Sequence, residues 1–125
     1  MGLDITITEE SGCLFIRAAG QYSLENMKDL FATILSKSEE RGYNHVLLNT
    51  NDVAGHIPEL DRFLLGEHAA TLWRPKLKMA IVSQSENIDK FAENVAVNRG
   101  ANLQILSDDE KALEWLVGET AYTSQ

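Results

Sequence analysis

The side chains of this sequence best able to move a proton are His45, His56 and His68 with the acids Asp52, Asp61 and Glu67. Asp61, Glu67 and His68 fall in one helical stretch, and Asp52 and His56 stand just before it. An acid–base pair drawn from Asp52, His56, Asp61 or His68 is therefore the one catalytic arrangement that the spacing offers. No two histidines have the helical spacing of a metal pair, and neither a glycine-rich phosphate loop nor a nucleophile elbow occurs. Solvated helix charges account for the same residues. The chain is accordingly expected to be no enzyme, with no catalytic residue, no metal site and no cofactor.

A single cysteine, Cys13, rules out an internal disulfide and any multi-cysteine metal site, and its apolar neighbours suggest a buried, inert thiol. With 11 basic and 19 acidic residues the net charge is −8, which repels a phosphate backbone on average, so nucleic acid is not an expected partner. Against that acidity, Trp73-Arg74-Pro75-Lys76-Leu77-Lys78 is locally basic. An indole flanked by cations suits the headgroup layer of a membrane, which makes Trp73, Arg74 and Lys76 candidate membrane contacts. The competing reading packs Trp73 over a helix end while Arg74 and Lys76 satisfy its carbonyls. Arg99, near another helix end, is read as serving that helix and not an anion. Gly2 and Thr6 meet an acylation pattern on paper, but Leu3 to Ile7 reads better as the start of a strand. No apolar run reaches the roughly 18 residues of a spanning helix and no secretory pattern opens the chain, so the expected location is cytoplasmic, at most peripheral at a membrane.

The elements that must position these groups follow from periodicity. At 125 residues, 44% hydrophobic and 24% charged, the chain suits one domain with a core of its own. Ile5 and Ile7, then Leu14, Phe15 and Ile16, form two strands joined through Glu9-Glu10-Ser11-Gly12, a hairpin. Ser23 opens a helix to about Arg41 whose stripe is Leu24, Met27, Leu30, Phe31, Ile34 and Leu35, and Gly42 ends it. A strand His45–Asn49 gives way to a polar loop, Thr50-Asn51-Asp52. A second helix starts near Pro58 and stops before Pro75. Strand Leu77–Val82, a third helix marked by Ile88, Phe91, Ala92 and Val95 up to Gly100, and strand Leu103–Leu106 follow. Ser107-Asp108-Asp109-Glu110 has the form of a capping box, with Ser107 accepting from the Glu110 amide, for a last helix carrying Leu113, Leu116 and Val117. The order β-β-α-β-α-β-α-β-α, with right-handed crossovers, predicts an α/β fold: a mixed sheet covered by about four helices. Residues 1–117 are expected to form the domain and 118–125 a flexible tail.

The segment Lys90-Phe91-Ala92-Glu93-Asn94-Val95-Ala96-Val97-Asn98-Arg99-Gly100-Ala101 resembles the bacterial SpoIIAA-like family. So does Ser107-Asp108-Asp109-Glu110-Lys111-Ala112-Leu113-Glu114-Trp115-Leu116, and Asp61-Arg62-Phe63 ahead of Trp73 and Lys78-Met79-Ala80-Ile81-Val82 fit as well. The resemblance spans Ile5 to Leu116 and implies a STAS-type fold, with kinship to the lipid-carrying CRAL-TRIO domain. In the better-known branch, anti-sigma-factor antagonists are switched by phosphorylation of a serine at the start of the helix after the third strand. Here residues 49–61 contain no serine, and Thr50, their hydroxyl, sits at the strand end. That switch has no acceptor to act on.

The second helix departs from a single stripe. Ile57, Leu60 and Leu64 read as its core face with Phe63 at the margin, while Leu65, Ala69, Leu72 and Trp73 spread to the other side. A helix too apolar for one face needs a second contact. One solution is a dimer. Another is an apolar pocket between this helix and the third, lined by Leu60, Phe63, Leu64, Phe91 and Val95, with Gly66 weakening the helix as a lid. The leading expectation is thus a non-enzymatic module binding a small lipophilic ligand, with peripheral membrane contact and homodimerisation. The alternative is a protein–protein regulatory module resembling an anti-sigma-factor antagonist without its phosphoserine switch.

Overall fold

Ser11 and Gly12 take φ values of 55° and 78°, the left-handed pair that a two-residue hairpin turn requires, and they join β1 (Asp4–Glu10) to β2 (Cys13–Gln21). The computed structural model describes residues 2–73, 77–83 and 90–123. Ser23 accepts from the Asn26 amide at 3.0 Å to start α1 (Leu24–Arg41), and Gly42 closes it at φ 77°. Its expected stripe is realised, with Met27, Leu30, Phe31 and Ile34 buried. At roughly 1.5–3 kcal/mol for each fully buried large apolar side chain, that stripe is what fastens the helix to the sheet.

Then come β3 (His45–Ala54), α2 (Glu59–Trp73), β4 (Lys78–Val82), α3 (Lys90–Asn98), β5 (Asn102–Leu106) and α4 (Asp109–Thr123). The sheet runs β1-β2-β3-β4-β5, with β1 antiparallel to β2 and the rest parallel. This is the expected mixed α/β architecture. Because each crossover steps one strand in the same direction with the same hand, α1, α2 and α3 must lie on one face. There they bury one core with Leu14, Ile16, Val46, Leu48 and Met79. The other core is smaller and belongs to α4, whose Ala112 and Leu116 meet Cys13, Leu47, Ala80 and Val82.

Three expectations need correction. Thr50-Asn51-Asp52 is no loop, since β3 continues to Ala54. The Asn49 side chain accepts from the Asn51 amide at 2.8 Å, and the β2–β3 register shifts there, from Arg17↔Asn49 to Ala19↔Asp52. An extra residue is absorbed as a bulge and the strand goes on. At α4 the capping side chain is Asp108, which accepts from the Lys111 amide at 2.8 Å, in place of Ser107. An ionised carboxylate at a helix N-terminus gains from the macrodipole as well as from the bond. Finally, α4 runs past Gly118 to Thr123, so the expected tail begins with helical backbone.

Two polar groups anchor α4. Lys78, 7% exposed, donates to the carbonyls of Trp115 at 3.0 Å and Leu116 at 3.3 Å and lies 4.6 Å from the Trp115 ring centroid. At the other end Asp109 accepts from Asn49 Nδ2 at 2.6 Å and from Arg17 at 3.0 Å. Buried polar groups cost little once partnered, and here their partners also set where the helix sits.

Candidate functional site

Where β3 hands over to α2, the chain is pinned by contacts from the β2–α1 junction. The Tyr22 amide donates to the Ala54 carbonyl at 2.7 Å. Gly55 follows at φ 112°, and a Cβ there would meet Gln21 Nε2 at 3.0 Å and Tyr22 Cβ at 3.4 Å, so both backbone angle and space call for glycine. The Tyr22 hydroxyl then donates to Asp61 Oδ2 at 2.8 Å. Burial, and next the bond to that carboxylate, push the Tyr22 phenol well above its ordinary range. Arg62 closes the turn on itself, its Nε donating to the Ile57 carbonyl at 2.9 Å while its amide bonds the Pro58 carbonyl at 3.0 Å. The first turn of α2 is thus held from both sides.

Leu60 stands outward from that held turn, 67% exposed. The face of α2 that turns inward is Leu65, Gly66, Ala69, Ala70 and Trp73. This overturns the expected core face at Leu60 and Leu64, while Ile57, its third member, does pack against the core. The spread of apolar residues has an internal cause: α2 is the middle helix of its layer and packs on both α1 and α3 as well as on the sheet core. A helix with neighbours on three sides needs more than one apolar stripe.

Below the turn lies a cavity of about 90 Å³ between the sheet and the three helices, lined by apolar groups such as Phe31, Leu65, Ile81 and Leu103, with Thr50, Arg62 and Ser83 supplying polar atoms. Ligand pockets usually span about 300–1,000 Å³, so this space suits a few atoms and not a lipid. Leu60, Phe63, Leu64 and Val95, expected to line a pocket, do not line it. Phe63 instead lies under the Arg99 guanidinium, 5.5 Å from its ring centroid, and Val95 is a buried residue of α3. The Phe91 side chain lies outside the described residues. The topology points the same way: strands added in one direction leave no reversal among the parallel strands, and such reversals form the usual ligand crevice of open sheets.

Trp73 is not a membrane contact. It is 1% exposed, its indole N–H donates to the Phe31 carbonyl at 3.2 Å, and the two rings meet at 4.5 Å. The helix phase that buries Leu65 and Ala69 carries Trp73 inward with them. Arg74 and Lys76 lie outside the described residues. Among the described residues no helix is long and apolar enough to cross a membrane. Arg99 serves the helix end as expected, donating to the Val95 carbonyl at 3.3 Å and pairing with Glu67 at 3.2 Å.

The proton-moving candidates do not assemble. Asp61 is engaged by Tyr22, His68 stacks on Phe31 with centroids 6.2 Å apart, and Asp52 and His56 are exposed. Burial, then the Lys28 charge, lower the His68 pKa. Burial likewise raises the Cys13 thiol. Among the described residues no group of His, Cys, Asp or Glu could hold a metal ion. The Thr50 hydroxyl turns inward and donates to the Val82 carbonyl at 2.8 Å. Sequence reasoning missed the Tyr22–Asp61 bond and the Asn49–Asp109 bond; the one available signal was Asn49 itself, an amide closing an apolar strand.

No family model matches the sequence, and no curated protein matches it. Solved structures do. An anti-sigma factor antagonist from Mycobacterium paratuberculosis superposes with a TM-score of 0.61 at 8% identity, over 92% of this chain and 94% of that one. An uncharacterised protein with a SpoIIAA-like fold from Shewanella loihica gives 0.54 at 20% identity, over 92% and 94%.

The chain has a SpoIIAA-like fold.

Within that SpoIIAA-like fold the held turn lies at the C-terminal end of β3, where the resemblance places the antagonists' serine, and here it carries Leu60 between acids Glu59 and Asp61.

Proposed function

We propose that the protein is a non-enzymatic regulatory module that docks a protein partner through the first turn of α2. The observation that carries this reading is Leu60, 67% exposed on a turn fixed by Tyr22, Gly55 and Arg62. A rigid apolar anchor costs little ordering entropy on binding and, ringed by Glu59 and Asp61, selects an apolar pocket with basic surroundings. Likeness to an anti-sigma factor antagonist supports a partner of the regulatory kind. Residues 49–61 lack a serine and Thr50 is turned inward, so docking is set by the partner's state and not by phosphorylation at this turn.

The test uses the tagged full chain as bait in its own cells, beside a Leu60→Asp bait checked for wild-type circular dichroism. A protein enriched by the wild type and lost with Leu60→Asp supports the proposal. Equal recovery by both, or none by the wild type, overturns it.

A further inference from the structure

The two edges of the sheet are finished differently. At the β5 edge the Glu93 carboxylate accepts from the Ile105 amide at 2.8 Å, so a side chain occupies a strand-pairing position. At the β1 edge nothing does so among the described residues: β1 pairs with β2 alone, and no further hydrogen bond reaches its backbone. Pairing alternates along an antiparallel strand. Because Glu10↔Cys13 flanks the two-residue turn, Glu10, Thr8, Thr6 and Asp4 spend their backbone groups on β2. Glu9, Ile7 and Ile5 therefore present N–H and C=O outward. Ile5 and Ile7 pack against the core from this edge and are only partly buried.

We infer that the β1 edge pairs with β1 of a second copy, antiparallel and centred on Thr6, to give a closed dimer with one continuous sheet. The outward set allows pairings centred on any residue from Ile5 to Glu9. Centring on Thr8 sets Ile7 against Glu9 of the partner subunit, and centring on Glu9 sets that acid against its own copy. Centring on Ile7 sets Asp4 against Glu10 of the partner subunit, like charges face to face. Centring on Ile5 pairs only residues 4–6 with β1 of the partner subunit and leaves residues 7–10 opposite backbone outside that strand. Centring on Thr6 places Ile5 opposite Ile7 of the partner subunit, Asp4 opposite the partner's Thr8 and Thr6 opposite its own copy, with no acid facing an acid. Glu9 is already compensated within its own chain, by Arg41 at 3.3 Å and the Tyr43 hydroxyl at 2.8 Å. The half-buried isoleucines of both copies then cover one another on the face that carries α1. The assembly stops at two, because the edges left over are the β5 edges that Glu93 guards. It also goes beyond the α2 reading, since the β1 edge and the first turn of the middle helix are separate surfaces.

Thr6 would form a non-hydrogen-bonded pair at the dyad, with Cα atoms about 4.5 Å apart, inside the range that a disulfide spans. Thr6→Cys is therefore expected to cross-link as a dimer under mild oxidation. Thr8→Cys, in the same exposed row, is expected not to, and the wild type with its buried Cys13 is the background. By sedimentation equilibrium the wild type should associate more tightly as salt screens the charge of −8 on each copy. Thr6→Lys should weaken association about fivefold or more by opposing two cations at the dyad. A monomer at every concentration up to about 1 mM overturns the inference. So does equal cross-linking at positions 6 and 8, or a dimer indifferent to Thr6→Lys.

Discussion

Tyr22 and Asp61, 39 positions apart, share a 2.8 Å hydrogen bond that ties the end of β2 to the first turn of α2. Tyr22→Phe removes the donor and leaves a half-buried carboxylate with one partner fewer. The expected loss is about 1–2 kcal/mol, read as a lower urea midpoint with unchanged slope. The phenol's raised pKa fixes a sign as well. Its contribution is fully present below the unfolded value of about 10 and fades as pH rises above it, so the wild type should lose stability faster than Tyr22→Phe in that alkaline window.

Gly55→Ala should be costly for its size. It forces a side chain onto φ 112° and drives Cβ to 3.0 Å from Gln21 Nε2. About 1–3 kcal/mol of destabilisation is expected, measured by chemical denaturation, with a further loss of partner recovery in the Leu60 assay if the turn is displaced.

Trp73 provides a direct check on burial. In a Trp115→Phe background its emission should be blue-shifted, shielded from iodide and unchanged when anionic vesicles are added. Emission that shifts with vesicles would contradict the buried placement at 1% exposure. Trp73→Ala should cost about 3–5 kcal/mol as a large core cavity.

His68 gives an acidic signature. Its pKa is lowered by burial and by Lys28, so the neutral ring is the form that fits against Phe31. Stability from this group is present above the unfolded value of about 6.5 and is lost as pH falls below it. Thermal melts between pH 7 and 5, about the histidine range, should decline less for His68→Gln than for the wild type.

Asn49, 2% exposed, donates to Asp109 and accepts from the Asn51 amide. Asn49→Ala should cost about 1–3 kcal/mol and loosen α4 before the rest, seen as faster amide exchange in residues 109–117.

Much of the fold was legible because it rests on local chemistry. Ser11-Gly12 can only be a tight turn, Ser23 and Gly42 bound α1 by their own backbone preferences, and the stripe from Met27 to Ile34 has a single helical solution. The site was not legible in the same way. Leu60 and Leu65 are equally apolar on paper, and a stripe through either satisfies the period, so periodicity alone cannot say which one meets the sheet. Trp73 beside a basic stretch reads equally as a membrane anchor or as a core residue until its neighbours are known.

Sequence alone determined the element order, the hairpin, the caps of α1 and the absence of a serine in residues 49–61, all properties of a residue and those beside it. Tertiary structure decided the rotation of α2, the burial of Trp73 and the exposure of Leu60. The reason is that α2 packs between α1 and α3 on the sheet, and the phase that satisfies those contacts together depends on residues dozens of positions away. The open edge of β1 is decided there too, since a strand becomes an edge only when the order of the whole sheet is set.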